Sequence, residues 1–239
     1  MKLWLRSLAL NIALYGWTAF FCLVLVWTLV LPRRCIVVVV HLWLSQLEWI
    51  ERHIGGIRYR VIGREHVPKG ACIIAAKHQS AWETFKLHLL FGDPAIVLKK
   101  ELLLIPIWGW YVWRSGVVAV DRARGGKTLP HMVKAAHKVV EDGRKIVIFP
   151  QGTRTAPGED RPYKNGIAML YQALNIPVVP MALNSGLLWG KNSFIKKPGL
   201  ITIEFLPPIP PGLSRGEMME RLKNELETAT DRLLKSANP

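Results

Sequence analysis

A long run without any charged residue, residues 7–32, is the feature that most limits the structures open to this chain. The run is rich in Leu, Val, Ala, Trp and Phe, and it exceeds the about 20 residues that cross a bilayer as a helix. We therefore predict a membrane helix. A secretory signal fits less well, because the apolar region is too long and ends in Leu31-Pro32-Arg33-Arg34 instead of a small-residue cleavage pattern. The remaining alternative is a buried helix pair of a soluble protein.

A second apolar run, residues 35–47, is short for a bilayer span. It predicts a helix that lies in the membrane interface or re-enters it, with Trp43 and Trp49 at the level of the lipid headgroups. Residues 1–54 are accordingly predicted to form membrane-anchoring helices, and residues 55–239 an α/β domain. Basic residues flank the first run on both sides, so the charge distribution does not select an orientation in the membrane.

The chain is strongly basic. All 17 acidic residues lie at or after Glu48, yet the 239 residues carry a formal net charge of +15. Such an excess attracts anionic lipid headgroups, acidic carrier proteins or nucleic acid. Nucleic acid is the least favoured of these and is not expected, because the basic residues are scattered and no zinc-finger, ribonucleoprotein or basic-zipper pattern occurs. The cysteines, Cys22, Cys35 and Cys72, lie in apolar runs without metal-ligand spacing, which predicts buried thiols and no metal site.

From Ile57 onward, short apolar runs alternate with longer helical patterns. This alternation predicts an α/β fold with a single mostly parallel or mixed sheet of about seven strands flanked by helices. The predicted strands are residues 57–62, 71–76, 95–98, 117–120, 145–149, 178–182 and 200–206. The predicted helices are residues 81–91, 128–141, 165–174 and 214–234. Ser214 and Glu217 form a capping-box pattern at the start of the last helix.

His78 lies between a predicted strand and a predicted helix, at the carboxyl edge of the sheet, where ligands commonly bind. A neutral imidazole there can take a hydroxyl proton when an acceptor holds its other ring nitrogen as the donor. Glu83, in the first turn of the helix, is the nearest candidate acceptor. The alternative is a capping box, in which the Glu83 carboxylate accepts from the Ser80 backbone N–H and has no catalytic duty.

A second tract, Phe149-Pro150-Gln151-Gly152-Thr153-Arg154-Thr155, ends another predicted strand. Gly152 permits a tight turn whose backbone N–H groups, together with Thr153 and Arg154, can hold a phosphate. The tract is not a Walker A loop, which arranges its glycine, lysine and hydroxyl residues differently. A plain β-turn with a solvated arginine is the alternative. Taken together, the two tracts favour transfer chemistry on a phosphorylated substrate.

Residues 57–210 resemble the glycerolipid acyltransferase family, because they contain four motifs in the order in which that family has them. The first motif, usually Asn-His-x4-Asp, matches Lys77-His78 and Glu83, and the third, usually Phe-Pro-Glu-Gly-Thr-Arg-Ser, matches the second tract. The other two match at Lys99-Lys100-Glu101-Leu102 through Val120-Asp121-Arg122, and at Val179-Pro180. Three residues depart from the pattern, because Lys77 replaces asparagine, Glu83 replaces aspartate and Gln151 replaces glutamate.

The resemblance implies that His78 is the general base for the acceptor hydroxyl, and that Glu83 orients the ring and stabilises the imidazolium. The alkoxide then attacks an acyl thioester, which is already activated, so no metal and no cofactor are expected. The residues implied to bind the acceptor phosphate are Arg122, Gly152, Thr153, Arg154, Lys100 and Lys164. Arg122 can equally be a surface partner of Asp121, and Lys100 a partner of Glu101.

The implied activity is acyl transfer from acyl-CoA or acyl-carrier protein to the sn-2 hydroxyl of lysophosphatidic acid, which makes phosphatidic acid. The resemblance further implies a place at the bacterial inner membrane, with the catalytic domain on the cytoplasmic face and in contact with membrane lipid. Two alternatives stay open: acylation of another lysolipid, such as a lyso-ornithine lipid or a lysophospholipid, and a non-catalytic protein that binds anionic lipid.

Residues 102–113 contain three tryptophans and one tyrosine in an apolar segment. Such a segment can line an acyl-chain tunnel or dip into the membrane interface. Ordinary protein core is an equally good interpretation.

Overall fold

The computed structural model describes residues 2–121 and 129–237. The chain begins with helices α1 (Lys2–Val24) and α2 (Arg33–Ile50), which are joined through a 3-10 turn at Val26–Val30. Trp17 of α1 donates a hydrogen bond to Gln46 of α2 at 3.0 Å, and the two helices run antiparallel as a hairpin. A π-helical turn, Glu51–Gly55, then leads into the sheet.

Seven strands in the described residues form one mixed sheet in the order β1-β7-β6-β2-β5-β3-β4. The strands are β1 (Ile57–Ile62), β2 (Ile73–Ala76), β3 (Ala95–Lys99), β4 (Val118–Val120), β5 (Ile146–Ile148), β6 (Val178–Leu183) and β7 (Gly199–Phe205). Strands β6 and β7 pair antiparallel, and the other neighbouring pairs are parallel. The predicted fold class is confirmed, and each predicted strand has an observed counterpart.

The helices that follow the hairpin are α3 (Trp82–Phe91), α4 (Trp108–Arg114), α5 (Leu129–Glu141), α6 (Gly166–Leu174) and α7 (Arg215–Ser236). The predicted capping box at the start of α7 is present: Ser214 N donates to Glu217 Oε2 at 2.9 Å, and Glu217 N donates to Ser214 Oγ at 3.3 Å. Helix α4 was not predicted, because the sequence showed residues 102–113 only as one continuous apolar segment.

Successive side chains of the central strands face two different helical layers, as the period of a strand requires. Ile74 and Ala76 of β2 pack with apolar residues of α1, α2 and α3. Ile73 and Ala75 pack with residues of α5, α6 and α7. The hairpin is therefore part of one of the two helical layers that cover the sheet. The division of the chain at residues 54 and 55 stays a prediction.

Helix α2 buries one face against this layer through Ile36, Val40, Leu44, Leu47 and Ile50, which recur at helical spacing. Trp43 is partly buried and packs edge-on against Phe85, and the placement of both tryptophans at the lipid headgroups stays a prediction. Trp49 is 59% exposed. Trp43 and Trp49 are six residues apart, a separation that rotates a side chain by about 240° around the helix axis, so the two rings point in different directions.

Both ends of α1 are tied to the α/β part of the chain. Near its start, Ser7 Oγ accepts from Lys196 N at 3.0 Å, and Arg6 Nε donates to Ile54 O, in the turn that precedes β1, at 2.8 Å. After its end, the Thr28 hydroxyl lies 2.8 Å from the Tyr111 hydroxyl. The hairpin consequently lies along the α/β part instead of projecting from it.

A buried ion pair also links the turn after α2 to α3. Lys86 Nζ lies 2.6 Å from Glu51 Oε2, and both side chains are almost fully buried. The Trp82 indole N–H donates to the same Glu51 oxygen at 2.9 Å. Burial raises the pKa of Glu51, and the ammonium of Lys86 opposes that effect. All three cysteines are free thiols; Cys22 and Cys72 are buried, as predicted, and Cys35 is partly exposed.

Candidate active site

Three neighbouring strands bring the candidate site together. Strand β2 lies between β5 and β6 and is parallel to both, with Ile73 paired to Ile146 on one side and to Val178 on the other. Carboxyl ends of parallel strands meet at one edge of a sheet, which is where ligands bind in folds of this kind. His78 follows β2, the tract 149–155 follows β5, and Ser185 follows β6.

The predicted contact between His78 and Glu83 is present. His78 Nδ1 lies 2.8 Å from Glu83 Oε1, and the histidine side chain is 16% exposed whereas the glutamate side chain is fully buried. Because an ionised carboxylate only accepts, we assign the proton of the neutral ring to Nδ1. The lone pair of Nε2 is thereby available to accept a proton from a substrate.

Glu83 makes the contacts that both interpretations predict. Besides the contact with His78, Oε1 accepts from the backbone N–H groups of Gln79 and Ser80, each at 2.7 Å. The capping box is only half formed, because the Ser80 hydroxyl accepts from Trp82 N at 3.1 Å. The capping interaction fixes the carboxylate in the position from which it can orient the imidazole.

Ser185, which was not identified from the sequence, forms a hydrogen bond with the second oxygen of the same carboxylate. Its hydroxyl donates to Glu83 Oε2 at 2.8 Å and is fully buried. Next to it, Gly186 N donates to Gln79 Oε1 at 3.0 Å. The buried charge of Glu83 is thus surrounded by donors, as such a charge requires. The only signal in the sequence is a polar residue shortly after a fully apolar strand.

The two tracts singled out from the sequence are in direct contact. The His78 imidazole stacks on the Phe149 ring, with ring centroids 4.0 Å apart and an interplanar angle of 21°. Thr155 N donates to His78 O at 2.8 Å. These contacts hold the imidazole beside the turn that contains Gly152.

Gly152 has a φ of +69°, a conformation that favours glycine and allows the tight turn. Its own N–H is used within the turn, where it donates to Phe149 O at 2.9 Å. Gly152, Thr153 and Arg154 line the same cleft as His78. Arg154 Nη2 donates to Asn192 Oδ1 at 3.3 Å, and no carboxylate pairs with Arg154 in the described parts of the chain. Its charge is therefore available to an anionic ligand.

The other residues implied to bind phosphate either do not line the cleft or lie outside the described residues. Lys100 Nζ lies 3.9 Å from Asp121 Oδ2, so its partner is Asp121 and not Glu101. Lys164 is exposed, and its backbone N–H donates to Pro150 O at 2.8 Å. Arg122 lies outside the described residues. The binding roles of these three side chains stay predictions.

A cleft of about 300 Å³ extends from His78 between the hairpin, α3 and β3. Its apolar walls include Phe21 and Val40 from the hairpin, Phe85 from α3 and Val97 from β3. The segment 102–113 is divided between two environments. Leu102, Trp108, Tyr111 and Val112 line the cleft, whereas Leu104, Trp110 and Trp113 are exposed.

His88 also lines the cleft, one helical turn beyond Thr84. Its side chain is buried, and burial lowers its pKa to about 4. The imidazole is therefore neutral near pH 7. Among the described residues, no cluster of three or more His, Cys, Asp or Glu side chains is arranged to hold a metal ion.

Residues 58–184 match a family model described as Acyltransferase. Over 169 residues the chain is 37% identical to the 1-acyl-sn-glycerol-3-phosphate acyltransferase of Pseudomonas aeruginosa, a match that covers 71% of this chain and 66% of that protein. Over 158 residues it is 32% identical to the protein of the same name from Limnanthes douglasii, covering 65% of this chain and 56% of that protein. The chain therefore spans 56% to 66% of the length of these two relatives.

The fold is that of a solved structure, the 1-acyl-sn-glycerophosphate (LPA) acyltransferase from Thermotoga maritima. The two structures superpose with a TM-score of 0.74 over 98% of this chain and 99% of that chain, at 21% sequence identity. The matched family region covers more than half of the chain and contains His78, Glu83 and the tract 149–155. This chain belongs to the acyltransferase family.

Proposed function

We propose that this protein transfers an acyl chain from an acyl thioester to the sn-2 hydroxyl of lysophosphatidic acid, forming phosphatidic acid. The observation that carries the proposal is the position of the His78–Glu83 pair, between an apolar cleft and an arginine that no carboxylate neutralises among the described residues. A lysophosphatidic acid molecule has a phosphate, a free hydroxyl and an acyl chain, and these three parts match the arginine, the imidazole and the apolar surface.

In the proposed reaction, His78 Nε2 takes the proton of the sn-2 hydroxyl while the hydroxyl oxygen attacks the thioester carbonyl carbon. The buried Glu83 carboxylate stabilises the imidazolium that forms, since it already accepts from Nδ1. The carbon–sulfur bond breaks as the tetrahedral intermediate collapses. The departing thiolate recovers the proton from Nε2, so the imidazole returns to its starting state.

Acceptor binding is assigned to the turn after β5. Arg154, with Thr153 beside it, can form charge-assisted hydrogen bonds to the phosphomonoester. The acyl donor is acyl-CoA or acyl-carrier protein. Both are acidic, and the formal net charge of +15 favours the approach of either one.

Membrane association is supported by the apolar surface of the hairpin. Among the described residues one helix, Lys2–Val24, is long and apolar enough to cross a bilayer. We place this helix in one leaflet at the cytoplasmic face of the bacterial inner membrane. Both of its ends contact the α/β part, through Ser7 with Lys196 and through Thr28 with Tyr111, so the helix can cross the membrane only if those contacts break. Leu5, Ile12, Phe20 and Trp27 expose apolar surface that suits lipid.

The test combines a panel of acceptors with a variant of the base. The purified protein is given radiolabelled acyl-CoA or acyl-carrier-protein thioester with lysophosphatidic acid, with its dephosphorylated analogue, with a lysophospholipid or with a lyso-ornithine lipid. We expect labelled phosphatidic acid and a loss of acceptor use when the phosphomonoester is absent. Equal use of all acceptors would contradict the assigned phosphate site, and a strong preference for another lysolipid would replace the proposed acceptor.

The base is tested with His78→Ala, which should lower turnover by about 100-fold or more. His137→Ala is the matched control, because His137 is an exposed histidine of α5. A folded His78→Ala protein with full activity would remove the assignment. Lipid binding that weakens with salt and survives His78→Ala, with no thioester consumed by the wild-type chain, would instead support the non-catalytic alternative.

A further inference from the structure

Two of the positions at which this chain departs from its family lie directly before the residues assigned to chemistry. Lys77 precedes His78, and Gln151 precedes Gly152. Both side chains are buried, with exposed fractions of 2% and 1%. Neither lines the cleft, so neither substitution alters the surface that a substrate contacts.

The two side chains meet at one carboxylate, Glu227 of α7. Lys77 Nζ lies 2.6 Å from Glu227 Oε2 and 2.8 Å from Oε1. Gln151 Nε2 donates to Oε1 at 3.3 Å, and the Tyr163 hydroxyl donates to the same oxygen at 2.8 Å. Glu227 lies outside residues 58–184, the part of the chain that the family model covers.

The charges of this cluster depend on one another. A buried ammonium needs a counter-charge, and Glu227 supplies it to Lys77. The family's usual glutamate at position 151 would place a second carboxylate within hydrogen-bonding distance of Glu227, and the two would repel. The amide of Gln151 donates instead. The residues at 77, 151 and 227 are therefore compatible as a set.

We propose that Glu227 is a positioning residue of the acyl-transfer reaction: it joins the side chain of Lys77, before His78, to the side chain of Gln151, before Gly152. It thereby fixes the position of the base relative to the phosphate-binding turn. The changes in kcat and KM that the proposal predicts rest on the proposed function. Glu227 does not line the cleft. It acts through Lys77 and Gln151, each one residue away from a group assigned to the reaction.

Three variants test the proposal in the full-length protein. Glu227→Gln removes the carboxylate charge and keeps the shape of the side chain. The triple variant Lys77→Asn, Gln151→Glu, Glu227→Gln restores the residues usual in the family at 77 and 151. Glu220→Gln is the matched control, because it removes one carboxylate from an exposed position of the same helix.

We expect Glu227→Gln to lower kcat by about 10- to 100-fold, because small displacements of reacting groups have effects of that size. KM for both substrates should stay within about 3-fold, since the surface of the cleft is unchanged. The triple variant should recover kcat to within about 3-fold of the wild type, and Glu220→Gln should match the wild type. A Glu227→Gln protein with wild-type kcat would overturn the proposal. So would a triple variant no more active than Glu227→Gln.

Hydrogen exchange supplies a readout that does not depend on activity. Glu227→Gln should speed exchange in peptides covering residues 77–83 and 150–155 more than in peptides of α5. A uniform increase along the whole chain would show a general loss of stability and would overturn the positioning role. If the wild-type chain fails to acylate lysophosphatidic acid, the proposed function fails, and the exchange measurement still decides whether Glu227 holds the two segments together.

Discussion

The Ser185 hydroxyl donates to Glu83 Oε2 at 2.8 Å, whereas His78 contacts the other oxygen of that carboxylate. Glu83 is therefore held from both sides, by the loop after β6 and by the turn after β2. A carboxylate that is fixed in this way keeps the imidazole in one orientation without further adjustment during the reaction.

Replacing Ser185 with alanine removes one donor from a buried carboxylate. A hydrogen bond to a charged group contributes about 1.5–3 kcal/mol, so we expect kcat to fall by about 10-fold and the free energy of unfolding to fall by about 2 kcal/mol. Steady-state kinetics and denaturant unfolding in detergent measure the two effects. Ser45→Ala, at an exposed serine of α2, should change neither. An unchanged kcat would show that Ser185 only stabilises the fold.

The apolar cleft predicts how acyl-chain preference can be altered. Val40 of α2 lines the cleft and is 8% exposed, so Val40→Trp adds volume where we expect the chain to bind. The preferred thioester should become shorter, because a longer chain would overlap the indole ring. Competition between donors of different lengths measures the shift. Val38→Trp is the control, because Val38 is 67% exposed. Unchanged preference in Val40→Trp would mean that the acyl chain binds elsewhere.

His88 predicts a specific loss of stability in acid. Its pKa is about 4 in the folded protein, against 6.5 for an ordinary histidine, because burial disfavours the charged ring. Between these two values the unfolded chain binds a proton that the folded chain does not, so the free energy of unfolding falls as the pH falls from 6.5 to 4. The full loss is about 3 kcal/mol.

The measurement compares unfolding of the wild type with His88→Asn across that pH range. The variant should lose about 3 kcal/mol less than the wild type, and His137→Asn, at an exposed histidine, should behave as the wild type does. Parallel pH curves for wild type and His88→Asn would contradict the assignment of this acid sensitivity to His88.

The hairpin predicts a labelling pattern in intact cells. Val30, in the turn between α1 and α2, is 85% exposed, and a cysteine there reports which side of the membrane the turn occupies. With the three native cysteines replaced, Val30→Cys and Lys2→Cys should resist an impermeant maleimide applied from outside and react after permeabilisation. His137→Cys is the control on the α/β part. Labelling of either hairpin position in intact cells would show that α1 crosses the bilayer.

Secondary structure followed closely from local signals. The predicted strand 57–62 coincides with β1, and the helix predicted at 81–91 differs from α3 by one residue at its start. Ser214 and Glu217 form the expected capping box, because both partners lie within a single turn. The contact of His78 with Glu83 could also be predicted from the sequence, since a separation of five residues limits how far apart the two side chains can lie.

Contacts between distant segments depended on the tertiary structure. Ser185 lies 102 residues from Glu83, and Glu227 lies 150 residues from Lys77. No periodicity or spacing encodes these pairs, because they form only when β6 lies beside β2 and α7 packs on the sheet. The contact of Trp43 with Phe85 is of the same kind, since hydropathy identifies an apolar helix and not the partner of each of its faces.

The sequence by itself determined the order along the chain of the seven described strands and of the α-helices other than α4, because local propensity and hydropathy depend on near neighbours. Its motifs indicated the family and the candidate base and orienting carboxylate. Only the tertiary structure decided which side chains complete the site: Ser185 on Glu83, Phe149 on the imidazole and Glu227 between the two tracts. The physical reason is that burial and charge pairing are properties of neighbours in space, and the sheet order selects those neighbours.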